Sequence, residues 1–310
     1  MTTKKLLSVG ECMAELQLAR DGLYSLAFGG DTLNMAWYVR ALTRPQNVDV
    51  EFLTAVGSDP LSKQMMAFLA RHKVGTELVR EIPDRNVGLY LISLAGAERS
   101  FTYWRSASAA RLLAQDSEHV TAAFSKADVI YFSGITLAIL EADHRQEFLD
   151  ALRKAKAFGV MIAFDSNIRR RLWPSDEAMK NAVIEGYQVA SLALPTFEDD
   201  QALFGDSNPV ACAKRIAGYG VGEVVVKDGG RPCQILVDGK LSEVAPEPVA
   251  GILDTTGAGD SFNSGYVVAR MVNRSPVDAA KLAHKVAGRV ICGRGALLDM
   301  ALFADLRLDA

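Results

Sequence analysis

The sequence predicts an α/β protein with a mainly parallel central sheet and a small second sheet set into its first third. Three observations predict it. Beyond Val129, short apolar runs alternate with amphipathic stretches, the pattern of buried parallel strands joined by crossover helices. The first 110 residues instead carry strands of period two, as half-exposed antiparallel strands do. Finally, 310 residues with 49% hydrophobic and 23% charged side chains suffice for a large core, and disordered, collagen-like and coiled-coil chains are disfavoured.

In chain order, Cys12 to Leu18 alternates with period two and reads as a strand. Asp31 or Thr32 can cap a helix running to about Leu42, and Asp59-Pro60 is a cap followed by proline at the first helical position. Val87 to Leu94 and Ser100 to Arg105 form two strands around the turn Ala95-Gly96-Ala97-Glu98, and Tyr90, Ile92, Phe101 and Tyr103 read as an exposed apolar alternation. Residues of about 12–28 and 87–105 thus supply a small antiparallel sheet suited to be a lid. Val129 to Phe132, Val160 to Phe164, Val189 to Leu194 and Val224 to Val226 are buried strands. Arg145 to Phe158, Ala178 to Gly186 and Asn208 to Gly218 are the helices between them. No Pro-, Gly- or Ser-rich linker divides residues 1–310, so one continuous body is expected.

Composition also narrows the function. A net charge of −3 gives no field to attract a phosphate backbone, and nucleic acid is not an expected partner. No apolar run reaches the roughly 18 residues of a membrane span, and no signal peptide is visible; a cytoplasmic protein without a membrane partner is expected. Cys12, Cys212, Cys233 and Cys292 fit neither a CxxC pair nor a zinc knuckle and read as buried free thiols. The four histidines are scattered, as packing or surface residues are. Neither GxxxxGK[ST], GxGxxG nor GxSxG occurs, which disfavours a P-loop protein, an NAD oxidoreductase and a serine hydrolase.

One segment carries chemistry. Asp254-Thr255-Thr256-Gly257-Ala258-Gly259-Asp260 leads into a helix, where Gly257 and Gly259 let backbone amides approach a ligand beside the positive end of the helix dipole. That is a candidate anion hole, and Asp260 can reach an atom bound there. A second glycine pair, Gly29-Gly30, precedes another helix that carries Asn34.

Together these two segments resemble the signatures of the ribokinase-like (PfkB) carbohydrate kinases, and the resemblance runs from Val9-Gly10-Glu11 to Gly293-Arg294-Gly295-Ala296. Gly10-Glu11-Cys12-Met13-Ala14-Glu15-Leu16 and Tyr103-Trp104-Arg105 followed by Ser106-Ala107-Ser108-Ala109 resemble most closely those members that act on 2-keto-3-deoxygluconate. The resemblance implies a three-layer α/β/α ribokinase-like fold with a β lid, one kinase domain over 1–310, and a homo-oligomer. It implies ATP with Mg2+ as cofactors and transfer to the terminal 6-hydroxyl of a sugar acid. Asp260 would be the base, and the amides of Gly257, Ala258 and Gly259 would stabilise the transferring group. Gly30, Asn34, Tyr90, Tyr103, Arg105 and Arg169 would bind the sugar acid, the arginines taking its carboxylate by their planar fork. Asn167, Lys227, Gly229, Gly230, Gly257 and Gly259 would face the nucleotide, while Ala283, Ala287 and Gly295 would either border the adenine or pack helices. Many relatives carry Asn-x-x-Glu where this chain has Pro195-Thr196-Phe197-Glu198, so Glu198 alone is left to hold magnesium through water. A fructokinase, another sugar kinase and a non-catalytic sugar sensor are the competing readings.

Overall fold

The computed structural model describes residues 3–18, 22–95 and 98–308. From the N-terminus run β1 (Lys4–Val9), β2 (Met13–Leu18), β3 (Tyr24–Gly29), α1 (Asp31–Leu42), β4 (Val48–Leu53), β5 (Ala55–Val56), α2 (Pro60–Arg71), β6 (Arg80–Glu81), β7 (Gly88–Ala95) and β8 (Glu98–Trp104). There follow α3 (Ser117–Phe124), β9 (Val129–Ser133), α4 (Gly134–Ile139), α5 (Ala142–Ala157), β10 (Met161–Asp165), α6 (Asp176–Val189), β11 (Leu192–Ala193), α7 (Phe197–Phe204), α8 (Pro209–Ala217) and β12 (Glu223–Val226). The chain finishes with β13 (Cys233–Val237), β14 (Lys240–Val244), α9 (Ala258–Met271) and α10 (Pro276–Val290).

Eight strands form the central sheet in the order β14-β13-β12-β11-β10-β9-β1-β4. It is parallel from β4 to β12, and the hairpin β13–β14 adds an antiparallel edge. Because neighbouring residues of a strand face opposite sides, Leu6, Val129 and Val225 join a core under α1, α9 and α10, whereas Leu7, Ile130 and Val224 join one under α3, α5, α6 and α8. These two cores make three layers, helix on sheet on helix. Each fully buried Leu, Val or Phe stabilises them by about 1.5–3 kcal/mol.

The buried strands after Val129 lie where their apolar runs predict, with one exception. Val189 belongs to α6, and β11 is only Leu192–Ala193, because the last turn of the helix claims the first apolar residues of that run. The helix at 31 starts as expected, yet its cap is Gly30, with Asp31 already inside the first turn. Asp59 does cap α2, accepting from the amides of Leu61 and Ser62.

The small sheet has the order β3-β2-β7-β8. Its hairpins β2–β3 and β7–β8 are antiparallel, but β2 and β7 pair in parallel, so the sheet is mixed, not antiparallel. β2 follows β1 of the central sheet and β7 follows β6, which pairs with β5, and the two segments run in the same direction where they meet. The register sets Glu15, Tyr90 and Tyr103 in one row and Gln17, Ile92 and Phe101 in the next, all on one face. Tyr90 and Ile92 are buried with Met13 and not exposed as the alternation suggested. Phe101 and Tyr103 do stay exposed, at 38% and 47%, and on the opposite face Leu18, Tyr24, Leu26 and Trp104 are each at least 42% exposed. Residues 19–21 of the first segment, and Gly96-Ala97 of the second turn, lie outside the described residues.

Candidate active site

The first strands of the central sheet end at the same rim, and there the two glycine segments meet. Gly257 caps α9 with a left-handed backbone (φ 77°), a conformation that leaves the glycine loop lying across the helix start. Gly30 caps α1 at φ 155°, and a Cβ there would come within 2.2 Å of the Glu11 carbonyl oxygen, so only glycine fits. The two helix starts therefore converge. Asn34, one turn into α1, donates from Nδ2 to Asp260 Oδ2 at 2.7 Å, joining residues 226 apart.

Around that bond lies a ring of polar groups. Asn167 donates to Asp31 Oδ2 (2.7 Å), and its amide donates to Asp165 Oδ1 (3.0 Å). Lys227 Nζ donates to Asp165 Oδ2 (2.8 Å) and Asn263 Oδ1 (2.9 Å). Asn263, three residues after Asp260 on α9, donates to Asp165 and to the Tyr131 hydroxyl. One lysine faces three carboxylates, and the excess negative charge has an electrostatic consequence. Burial first, and then the charge of Asp31, push the Asp260 carboxyl up to about 7, against the opposing hydrogen bond from Asn34. Asp260 is thus poised as a proton acceptor near neutral pH.

The loop before Asp260 is tied down from two sides. Asp254 accepts from the amide and hydroxyl of Thr256 and from the Gly295 amide at 2.8 Å, joining the loop to the C-terminal segment. The Ala258 amide donates to the Thr255 carbonyl (3.2 Å), so Gly257 and Gly259 on either side are the amides to consider for a ligand.

The remaining expected residues are placed less uniformly. Arg105, just beyond β8, forms an ion pair with Glu11, which is 1% exposed. Tyr90 donates its hydroxyl to Glu15, while Tyr103 stays half exposed on the same face. Arg169 sits on the rim with Asp199 at 3.6 Å. Gly229 and Gly230 occupy an exposed turn two residues beyond Lys227. Glu198 is exposed at the start of α7, and the acid nearer to Asp165 and Lys227 is the half-buried Asp199, its carboxyl raised by burial. Ala283 and Ala287 lie on α10, Ala283 fully buried in the core shared with α9. Of the cysteines, Cys292 is exposed, against expectation, because it follows the last turn of α10 where no strand covers it.

Sequence reasoning missed Asp31, Asp165, Asn263, Glu11 and Glu15. Asn263 had a visible signal, being one helical turn from Asp260. Asp31 was hidden by its competence as a cap. Glu11 and Glu15 find their partners 94 and 75 residues away, beyond any local pattern. Outside this rim, Asp200, Asp206 and Cys212 cluster closely enough for a metal, but Arg215 pairs with both acids at 2.7–2.8 Å and takes that place.

A model of the pfkB family of carbohydrate kinases matches residues 3–301, and the chain belongs to that family. It is a phosphotransferase. The 2-dehydro-3-deoxygluconokinases of Dickeya dadantii (strain 3937) and Escherichia coli (strain K12) are 39% and 36% identical to it, over 97% and 96% of this chain and 98% and 97% of their own length. Among solved structures, the PfkB protein from Polaromonas sp. JS666 superposes with a TM-score of 0.84 at 23% identity, over 97% of this chain and 99% of its own. The fructokinase with bound ATP from Xylella fastidiosa gives 0.83 at 23% identity, over 95% and 94%. The fold is the three-layer ribokinase-like one.

Proposed function

We propose that the protein transfers the γ-phosphoryl group of ATP to the terminal 6-hydroxyl of 2-keto-3-deoxygluconate, giving 2-keto-3-deoxy-6-phosphogluconate. The observation that carries the reading is the Asn34–Asp260 hydrogen bond, which puts a carboxylate of raised pKa at the junction of both glycine segments. The names of the 36–39% identical relatives supply the substrate.

In this reading Asp260 orients the attacking hydroxyl and accepts its proton as the new O–P bond forms. Asn34 holds the acceptor oxygen of Asp260 in line. The amides of Gly257 and Gly259 stabilise charge on the phosphoryl oxygens, with Ala258 contributing less because its N–H is already engaged. Lys227 is fixed by Asp165 and Asn263 on the nucleotide side, near Asn167, Gly229 and Gly230. Magnesium brought with ATP would neutralise phosphate charge, and Asp199, with Glu198 through water, offers the hard oxygen donors it prefers. Asp199, half buried with its carboxyl raised by burial, gains from a cation and fits the ion.

The small sheet is the lid, with Tyr90 and Tyr103 on its sugar face and Gly30 on the floor. Arg105 and Arg169 bind the carboxylate. The bare outer face of the lid meets a second copy of the chain, making a homo-oligomer. The protein works in the cytoplasm, where Cys12, Cys212, Cys233 and Cys292 stay reduced. A fructokinase is the second reading, and it is favoured by one observation: Arg105 and Arg169 already have carboxylate partners in Glu11 and Asp199. A coupled ATP assay with 2-keto-3-deoxygluconate and fructose separates the two. A kcat/KM at least ten times higher for the acid is expected, and a preference for fructose overturns the substrate proposed.

A further inference from the structure

Far from the cleft, the other end of α1 opens on a cavity of about 260 Å³ lined by Arg40, Arg44, Arg71, His72, Lys73 and Arg307, with Thr43, Pro45 and Met300. Among the described residues no carboxylate lines it, although the chain as a whole carries a net charge of −3. Arg40 is the most telling member. It is 5% exposed, and its guanidinium donates only to neutral groups, the Val48 carbonyl (2.8 Å) and the Thr43 hydroxyl (2.7 Å), while Nε has no partner. Buried charges in proteins are ordinarily paired. Asp49, an acid whose charge Arg40 feels, is committed to Lys5 at 3.3 Å. Burial, with repulsion from Arg307, pulls the Arg40 guanidinium down to about 10.

A second observation is independent of charge. Lys73 has a left-handed backbone (φ 59°) just past the end of α2, where glycine or asparagine is the unstrained choice. The strain is retained together with a cation that faces the cavity. Arg40 and Arg71 lie in the last turns of α1 and α2, where one positive charge each offsets the helix dipole. Lys73 and Arg307 exceed that need, and among the described residues neither makes an ion pair.

We propose that this cavity is a second binding site, distinct from the catalytic cleft, for a small multiply charged phosphate. Such a ligand neutralises Arg40 through the cavity field and takes direct contacts from Arg71, Lys73 and Arg307, whose side chains reach solvent. The site does not depend on the substrate proposed above.

Isothermal titration with inorganic pyrophosphate tests it, with a non-hydrolysable ATP analogue present to cover the catalytic anion hole. The comparison variant is Arg71→Gln with Lys73→Asn, since both positions are exposed and asparagine tolerates the left-handed backbone. One equivalent should bind the wild type, and the variant should bind at least about 10-fold more weakly with unchanged kcat/KM for its sugar. Affinity should also fall with added salt. Citrate in place of pyrophosphate separates phosphate recognition from mere anion attraction, and equal affinity for the two would overturn the ligand class. No binding to the wild type, or equal binding to both proteins, would overturn the site.

Discussion

In the proposed reaction Asp260 is the base, and its environment makes a pH dependence part of the expectation. Because its carboxyl is raised to about 7, the free enzyme loses its base as pH falls, so kcat/KM should drop about tenfold per pH unit below 7 and level off above it. Asp31→Asn removes a charge that raises it and should move that limb to lower pH; an unmoved limb would mean that another group titrates. Asp260→Asn should fold and still bind nucleotide, with turnover down by about 10² to 10⁴-fold. Retention of a tenth of wild-type turnover would remove Asp260 from the base role. Arg105 is less simple, because its partner Glu11 is buried. Arg105→Ala strands that carboxylate and should cost about 3–5 kcal/mol of stability, read by denaturant unfolding. Arg105→Lys keeps the charge, loses the fork and should restore most of that stability. Its kcat/KM for the keto acid should nonetheless fall by about 10 to 150-fold while fructose is barely affected. Equal losses on both sugars would assign Arg105 to the junction between the sheets alone.

At the scale of elements, the small sheet has two unlike faces. One carries Glu15, Tyr90 and Tyr103, and the other exposes Leu18, Tyr24, Leu26 and Trp104. An apolar sheet face in water invites a partner. Leu26→Glu should therefore weaken self-association by about 10 to 150-fold, the worth of one buried leucine, as measured by light scattering across a dilution series. A wild type that is monomeric at every concentration would refute the pairing. Hydrogen exchange should show new protection in β2, β7 and β8 when sugar binds. Unchanged exchange at saturating substrate would argue that the sheet is a fixed wall and not a lid. Much of this was visible in the sequence, since period two at 12–18 and 87–105 located the strands. The parallel β2–β7 pairing was not, because it depends on the direction in which two segments distant in the chain arrive beside each other.

For the whole molecule, three carboxylates and one lysine around a partly closed cleft are a stored cost. The folded-state pKa of Asp260 lies above its unfolded value, so its charge opposes folding fully above pH 7, progressively less below it, and not at all below about 4. Asp260→Asn should accordingly raise Tm at pH 8, with the advantage fading by pH 5. A Tm difference independent of pH would mean that the carboxyl is not strained. Under the proposed reaction, the stability lost at this rim is what a site for anionic phosphates and a hydroxyl nucleophile requires.

What could be read from the sequence alone is whatever chain spacing enforces. The apolar runs from Val129 onward determined the parallel sheet, and the residues from Asp254 to Asp260 located the candidate anion hole and the proposed base, because a helix start displays its chemistry in consecutive residues. The partners that tune those groups could not be read. Asp31 at the start of α1, Asp165 at the end of β10 with Asn167 just after it, and Lys227 after β12 meet only once the sheet is assembled. Burial and coulombic coupling both depend on distances through space, and those distances are set by packing: they raised Asp260, tied Arg105 to Glu11 and left the buried Arg40 charge without a carboxylate partner of its own.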